Sequence, residues 1–292
     1  MLNNMITNVI SPGTTEELLA TIDENVDKKF RFGAGYTDLL VELRKQTNNE
    51  LIVINLAYLE DDKFTSISKS ENGIRIGALV TAKEIISNKE LQIEFPVLYE
   101  AANKLASGQI RQVATVGGNL CTASPAGDIA CALVALKAQC EIISSKGKVR
   151  TIPCNSFFVD VRKTDLKKDE ILRSIFIHSR NEKTYSAFIK IGTRRSMECS
   201  VVSLAYHFYL DSDGKIVQAG IAIGSVAPTI KFAHSACDFL IGKKISSISK
   251  SETEEFAKKV LENASPISDI RASAWYRKEV LYNISKSLFD QF

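Results

Sequence analysis

The stretch "TVGGNLCTASPAGD", residues 115–128, decides how this chain is interpreted. It contains two adjacent glycines, a proline and a closing aspartate. It lies between two segments, 95–107 and 128–140, whose apolar residues recur at helical spacing. Glycines permit positive φ angles and close approach to the backbone, so we expect another group to come near the main chain here.

A second glycine-rich stretch, "RFGAGYTDL" (residues 31–39), also follows a strand-like segment. Successive free amides in such turns form a concavity of partial positive charge that suits a phosphate, and two such loops suit the two phosphates of one pyrophosphate. The alternative is that both stretches are simply tight turns. The N-terminal stretch, residues 31–39, lacks the third glycine of a dinucleotide fingerprint, and neither stretch carries Gly-Lys-Ser/Thr. The residues alone leave both interpretations open.

Composition narrows the class of protein. The 292 residues are 45% hydrophobic and 24% charged, and a net charge of +3 results from 37 basic and 34 acidic residues spread along the chain. No basic stripe tracks a nucleic-acid backbone, and no apolar run is long enough to cross a bilayer. The start of the chain lacks the features of a signal peptide, so the sequence predicts a cytoplasmic protein. The six cysteines match no zinc or iron–sulfur spacing and are expected to be reduced and mostly buried.

Local patterns predict an α+β fold. Thr14 with Glu17 and Thr81 with Glu84 are capping boxes, Pro96 suits a helix start, and Asp128 is expected to cap the helix that follows it. From Tyr185 onward the pattern changes to long strands that predict an antiparallel sheet, followed by amphipathic helices. Helices and strands are not in regular alternation, which argues against a doubly wound sheet. A polar boundary is expected at 178–184.

Three stretches together resemble one family. "RFGAGYTDLL", "SGQIRQVATVGGNLCTASPAGDIACALVAL" and "FIKIGTRRSMECSVVSLA", in this order and spacing, are similar to the FAD-binding (medium) subunit of the molybdenum hydroxylases, the xanthine dehydrogenase and carbon monoxide dehydrogenase family. The resemblance implies a two-lobed FAD-binding domain of the PCMH/vanillyl-alcohol-oxidase-like type over residues 1–178, with lobes of about 1–56 and 57–178. It also implies a C-terminal α/β domain with an antiparallel sheet over 184–292.

The resemblance also implies a set of cofactor-binding residues. The first loop, residues 31–38, would line one side of the FAD pyrophosphate, and the second loop, residues 115–119, would line the other. Asp128 would accept hydrogen bonds from sugar hydroxyls. Ala106 would lie near the flavin, and Leu172 and Lys190 would also touch the cofactor. The full set is Arg31, Phe32, Gly33, Ala34, Gly35, Tyr36, Thr37, Asp38, Ala106, Thr115, Val116, Gly117, Gly118, Asn119, Asp128, Leu172 and Lys190.

Two details bear on that set. Tyr36 stands where the family commonly has a second glycine, so a positive φ there would be strained. The three histidines, His178, His207 and His234, all follow residue 177, so the first 177 residues offer no histidine to bond the flavin, which predicts non-covalent FAD. Near the C-terminus, Trp275, Tyr276 and Arg277 are expected to be a packing anchor.

The function implied by the resemblance is one step of a longer electron path. A partner large subunit would carry the molybdenum cofactor, a partner small subunit the 2Fe-2S clusters, and FAD in this chain would pass electrons to NAD or another acceptor. No catalytic acid or base and no metal ligand is assigned. One alternative is a self-contained reductase resembling the UDP-N-acetylenolpyruvoylglucosamine reductases, although "TASPAGD" is not their motif. The other is a flavin-free assembly subunit, which Tyr36 favours.

Overall fold

The computed structural model describes residues 8–44, 51–194 and 197–290. The N-terminal region (8–56) forms a three-stranded parallel sheet in the order β1-β3-β2, with Val53 of the central strand paired to Val9 and Arg31. Leu18 and Ile22 of its first helix are fully buried. Thr14 caps that helix, but the predicted capping box is only half formed, because the Glu17 carboxylate accepts from the Gly13 amide instead of the Thr14 amide. The elements are β1 Asn8–Ile10, α1 Thr15–Asn25, β2 Phe30–Gly33, α2 Leu39–Leu43 and β3 Ile52–Asn55.

The middle region (57–178) surrounds a five-stranded antiparallel sheet in the order β4-β5-β10-β6-β7. Thr81 and Glu84 form a full capping box, and Pro96 is the first residue of its helix, as predicted. The elements are α3 Asp62–Thr65, β4 Ile67–Ser70, β5 Gly73–Gly77, α4 Ala82–Ser87, α5 Lys89–Glu94, α6 Pro96–Lys104, α7 Gly108–Val113, α8 Val116–Thr122, α9 Asp128–Ala135, β6 Gln139–Ser144, β7 Val149–Pro153, α10 Cys154–Phe157, β8 Phe158–Asp160, β9 Lys163–Thr164 and β10 Glu170–His178.

The C-terminal region (183–290) is built on a four-stranded antiparallel sheet in the order β11-β12-β13-β14. Phe256 and Val260 of the penultimate helix are fully buried beneath it. The elements are β11 Lys183–Ile191, β12 Val202–Leu210, β13 Ile216–Gly224, β14 Lys231–Phe232, α11 His234–Leu240, α12 Lys250–Leu261 and α13 Ala274–Lys286. The predicted α+β class is confirmed. In the described part of the chain, no helix has the length and apolar character needed to span a membrane.

Helix α9 joins the middle and C-terminal regions. All eight of its residues are buried, and Cys131 shares a core cluster with Ala205 and Ala222 of the C-terminal sheet. Gly220 of β13 lies so close that a Cβ there would be 1.9 Å from the carbonyl oxygen of Ala135. At Gly220, the backbone of the sheet therefore lies directly against the backbone of α9.

One buried histidine lies near this junction. His207 of β12 packs against the rings of Phe95 and Tyr209, with centroids 6.0 and 4.7 Å away. Neither ring nitrogen has a hydrogen-bond partner within the described ranges, and burial lowers the pKa of His207 to about 4. The neutral ring is therefore the form that the fold accommodates.

The expected anchor at the start of α13 is only partly correct. Trp275 and Tyr276 are 70% and 43% exposed, whereas Arg277 is buried. The Arg277 guanidinium donates to the carbonyl oxygens of Val201 and Ser225 at 2.6 and 2.8 Å and to Asp269 at 2.8 Å. Arg277 alone anchors the helix, since three hydrogen bonds offset the burial of its charge.

Candidate cofactor-binding site

The first glycine loop presents a run of unused amides. Between β2 and α2, no backbone N–H from Ala34 to Asp38 donates a hydrogen bond to any group that the structure describes. Tyr36 adopts the left-handed conformation, with φ of 59°, so the strained backbone angle considered for this position is present. Consecutive amides turned by a left-handed residue converge on one point and form an anion-binding concavity. Asp38 directly precedes helix α2, without a side-chain cap.

The side chain of Tyr36 holds this unusual backbone conformation. Its ring covers Gly33, where a Cβ would be 2.3 Å from the Tyr36 Cζ atom. Its hydroxyl donates to Asn55 Oδ1 at 2.8 Å, and Asn55 Nδ2 in turn donates to Ser11 Oγ at 3.1 Å. Burial raises the pKa of Tyr36, so the hydroxyl stays protonated and remains a donor. Hydrogen bonding and packing thus offset the cost of the left-handed conformation.

The second glycine stretch differs from the expectation of a second set of free amides. Residues 116–119 form the first turn of α8, and Thr115 caps it by accepting from the Gly118 amide at 3.0 Å. The amides of Val116 and Gly117 donate to the carbonyls of Val80 and Ala78 at 2.9 and 2.7 Å. The amide of Asn119 donates to the Thr115 carbonyl at 3.0 Å. The sequence could not show this docking, because residues 78–80 are remote along the chain.

The first loop, residues 34–38, lies against the segment that leads into the second stretch. A Cβ on Gly35 would be 1.9 Å from the carbonyl oxygen of Val113 and 2.7 Å from its carbonyl carbon. Val113 ends α7, two residues before Thr115. At the other end of α7, Ala106 has a left-handed φ of 39°, and its carbonyl accepts from the Arg111 guanidinium at 3.1 Å. The first loop therefore lies directly against the segment that leads into the second.

Asp128 lies at the junction of the middle and C-terminal regions. It is 2% exposed; one carboxylate oxygen accepts from Lys190 Nζ at 2.5 Å and the other from Ser200 Oγ at 2.8 Å. Lys190 also donates to the carbonyl of Lys104 at 3.1 Å. Burial raises the pKa of Asp128, and the Lys190 ammonium opposes that shift. The pair ties β11 to the start of α9.

Asp128 does not cap helix α9, which corrects the sequence expectation. Gly127 precedes the helix, Asp128 is its first residue, and no side chain of either caps it. Asn119 caps it from α8, because its Oδ1 accepts from the Ala130 amide at 3.0 Å. The Asp128 carboxylate is thereby left to pair with Lys190 and Ser200.

Other predicted residues lie outside the cofactor cradle, which we define as the amides of residues 34–38 together with the end of α7 and Thr115. Leu172 is 2% exposed in the core of the middle region, next to a bulge in β10, and Val116 is fully buried. Arg31 points its guanidinium to Glu42 at 3.2 Å, and Phe32 packs edge-on against Phe30. Sequence reasoning missed Asn55, Ser200 and Arg111, which carry no local motif and become visible only through their partners.

The cysteines and histidines add no metal or covalent centre in the described ranges. All six cysteines are free, four of them buried, and no group of three or more potential ligands is close enough to hold a metal ion. Cys121 is exposed.

Comparison with known proteins identifies the chain. The family model described as "FAD binding domain in molybdopterin dehydrogenase" matches residues 4–178, and the one described as "CO dehydrogenase flavoprotein C-terminal domain" matches residues 187–292. The chain belongs to the FAD-binding subunits of the molybdenum hydroxylase family. It is thus part of an oxidoreductase, and its cofactor is FAD.

Individual relatives agree with this assignment. The chain is 30% identical to the xanthine dehydrogenase FAD-binding subunit of Escherichia coli O157:H7, over 88% of this chain and 87% of that protein. It is 29% identical to the nicotinate dehydrogenase FAD-subunit of Eubacterium barkeri, over 96% and 93%. The fold matches a carbon monoxide dehydrogenase from Hydrogenophaga pseudoflava with a TM-score of 0.87 and 24% identity, over 96% of this chain and 94% of that one.

The residues present fit the cofactor of the family. A pyrophosphate needs convergent donors, and the free amides of residues 34–38 supply them. The absence of a side chain at Gly35 lets those amides lie next to the end of α7. The Thr115 hydroxyl accepts one hydrogen bond and keeps its own proton to donate.

Proposed function

We propose that this subunit receives electrons from 2Fe-2S clusters of a partner small subunit and passes them, through non-covalent FAD, to NAD or another acceptor. Substrate would be hydroxylated at a molybdenum cofactor in a partner large subunit. The observation that supports the flavin role is the run of unpaired amides from Ala34 to Asp38, directly against the end of α7. The relatives named as FAD subunits support a place in a larger complex.

In this proposal the chain binds and orients the cofactor. The amides of residues 34–38 bind the pyrophosphate, and Thr115 and Asn119 face it from the second loop. Ala106 lies near the flavin end, where its left-handed turn exposes the backbone. Each Asp128 oxygen already accepts one hydrogen bond and has capacity for a second, which a sugar hydroxyl would supply. Contacts from Leu172 and Lys190 stay predictions.

The redox chemistry belongs to the bound group. Flavin suits such a junction because it accepts single electrons and releases a hydride, while the protein tunes it through hydrogen bonds and shielding from water. Non-covalent attachment is supported by the positions of two histidines. His207 is buried in the C-terminal sheet, and His178 is the last residue of β10.

Two coarser expectations belong to the same proposal. We place the domain boundary at 178–184, between β10 and β11, which belong to different sheets. We also place the complex in the cytoplasm, in keeping with six free cysteines. Proteolysis of the polar linker and fractionation of cells would test these two points separately.

The central experiment has three readouts. Purified chain should be yellow, with absorption near about 450 nm that acid releases as free FAD; colourless chain that takes up no added FAD would instead support a flavin-free assembly subunit. Native copurification should recover molybdenum and iron with the chain. If the chain alone reduces UDP-N-acetylenolpyruvoylglucosamine with NADPH, the subunit role is wrong and the self-contained reductase is correct.

A further inference from the structure

A second crevice lies between the middle and C-terminal regions. It encloses about 800 Å³, within the roughly 300–1,000 Å³ that small-molecule sites occupy. The β4–β5 hairpin, the end of β10 and the residues after α9 form one wall. Strands β12 and β13 form the other, through Tyr209 and Gln218.

This crevice is separate from the cofactor cradle. Asp128 begins α9 and Lys137 follows its end, a span of about 13 Å at 1.5 Å per residue. Along β12, Ser203 pairs with Lys190, whereas Tyr209 lies six residues further, about 20 Å away. The crevice and the cradle therefore lie at opposite ends of the same helix and the same strands.

Positive charge dominates the lining. Its charged residues are Lys137, Arg180 and Arg75 against a single carboxylate, Glu71. Arg75 is neutralised by Glu141 at 2.8 Å, outside the lining. The Arg180 guanidinium donates to Gln218 at 2.8 Å and forms an ion pair with Glu182 at 3.7 Å.

Lys137 has no carboxylate within 4 Å among the described residues. Its backbone is left-handed, with φ of 53°. The Lys137 amide donates to Val134 and the Ala138 amide to Leu133, both at 3.0 Å, which is the helix-ending motif where glycine is the usual residue. Lys137 therefore places a cation on the crevice wall at a strained backbone position, with its ammonium 5.4 Å from the centre of the Phe232 ring.

Aromatic side chains complete the lining. The rings of Phe176 and His178 meet edge to face, with centroids 4.8 Å apart, and His178 is exposed. The Arg180 guanidinium lies 5.5 Å from the ring centre of Tyr209, whose hydroxyl donates to the His178 carbonyl at 3.3 Å. Exposed ring surface beside the Lys137 ammonium and the Arg180 guanidinium suits a planar group that carries an anion.

We propose that this crevice binds a small phosphorylated molecule with a planar ring, in addition to the FAD of the cradle. Its phosphate lies between Lys137 and Arg180, and its ring packs against His178. The ligand contacts both regions at once, so its binding also stabilises their contact.

The test uses the FAD-loaded full chain, so that the cradle is filled, and titrates it with AMP, ribose 5-phosphate and adenosine by calorimetry. AMP should bind more tightly than ribose 5-phosphate, and adenosine should bind at least about tenfold more weakly than AMP. No binding of AMP at millimolar concentration, or equal binding of adenosine, would overturn the proposal.

Three variants locate the binding. Lys137→Gly places the preferred residue at the left-handed position, so it should fold at least as stably as the parent while its affinity for AMP falls about tenfold or more. Arg180→Gln should weaken AMP binding similarly. Arg162→Gly is the matched control, because Arg162 is also a basic residue with a left-handed φ, of 55°, outside the crevice. Unchanged AMP affinity in both Lys137→Gly and Arg180→Gln would show that AMP binds elsewhere and would refute the site.

Discussion

Replacing Gly35 with alanine tests whether the contact between the two loops creates the FAD site. The new Cβ would be 1.9 Å from the Val113 carbonyl oxygen, against 3.4 Å for an ordinary contact, so the loops must separate by about 1.5 Å. The atom in the way belongs to the backbone of α7, which cannot turn aside as a side chain would. Gly35 does not have a positive φ, so the substitution adds bulk without backbone strain.

Such overpacking costs about 2 kcal/mol, which corresponds to about thirtyfold weaker FAD binding if the separated loops must close to hold the pyrophosphate. The assay is the quenching of flavin fluorescence when apoprotein is titrated with FAD, with thermal unfolding of the apoprotein measured alongside. Gly108→Ala is the control, because its Cβ would be 3.9 Å from the nearest atom, Arg111 Nη2. Parental FAD affinity and stability in Gly35→Ala would show that this close approach does not form the site.

Three further substitutions probe other parts of the structure. Tyr36→Phe removes the hydrogen bond to Asn55 and should weaken FAD binding by about 1 kcal/mol, or about fivefold, in the same titration, whereas equal affinity would exclude a role for the hydroxyl. Lys190→Gln leaves Asp128 buried without its cation and should lower the free energy of unfolding in urea by about 3 kcal/mol, most of it recovered when Asp128→Asn is added; no recovery would disprove the pairing. His207→Leu should remove a pH dependence. The folded-state pKa of His207, about 4, lies below its ordinary 6.5, so the unfolded chain binds more protons and the parent loses stability as pH falls from 6.5 toward 4. That loss is about 2 kcal/mol at pH 5, and an equal loss in the variant would assign it to other groups.

Local signals in the sequence predicted the elements well. The capping box at Thr81 and the proline at residue 96 mark helix starts through contacts within one turn, so the sequence contains all that is needed to place them. Comparison with a glycine position marked Tyr36 as a place where a positive φ would be strained, and the structure has a φ of 59° there.

The errors arose where long-range contacts decide the outcome. The amides of Val116 and Gly117 looked free, but the carbonyls of residues 78–80 accept their hydrogen bonds. Asp128 was predicted to cap α9, but Asn119 accepts the hydrogen bond from the Ala130 amide. The Asp128 carboxylate instead pairs with Lys190, which is far along the chain. Trp275 was expected to anchor the helix because large aromatic residues are usually buried. The buried residue is instead Arg277, whose guanidinium donates to Val201, Ser225 and Asp269.

Asn119 has a consequence for how this protein can change over evolutionary time. Its backbone closes the turn after the paired glycines, while its side chain holds the start of the helix on which the C-terminal sheet rests. A substitution selected for a new cofactor preference would therefore also disturb the seat of that helix. The effects of substitutions in the flavin site and in the contact between α9 and the C-terminal sheet are thus expected to be non-additive. Paired changes would be tolerated where either change alone is not.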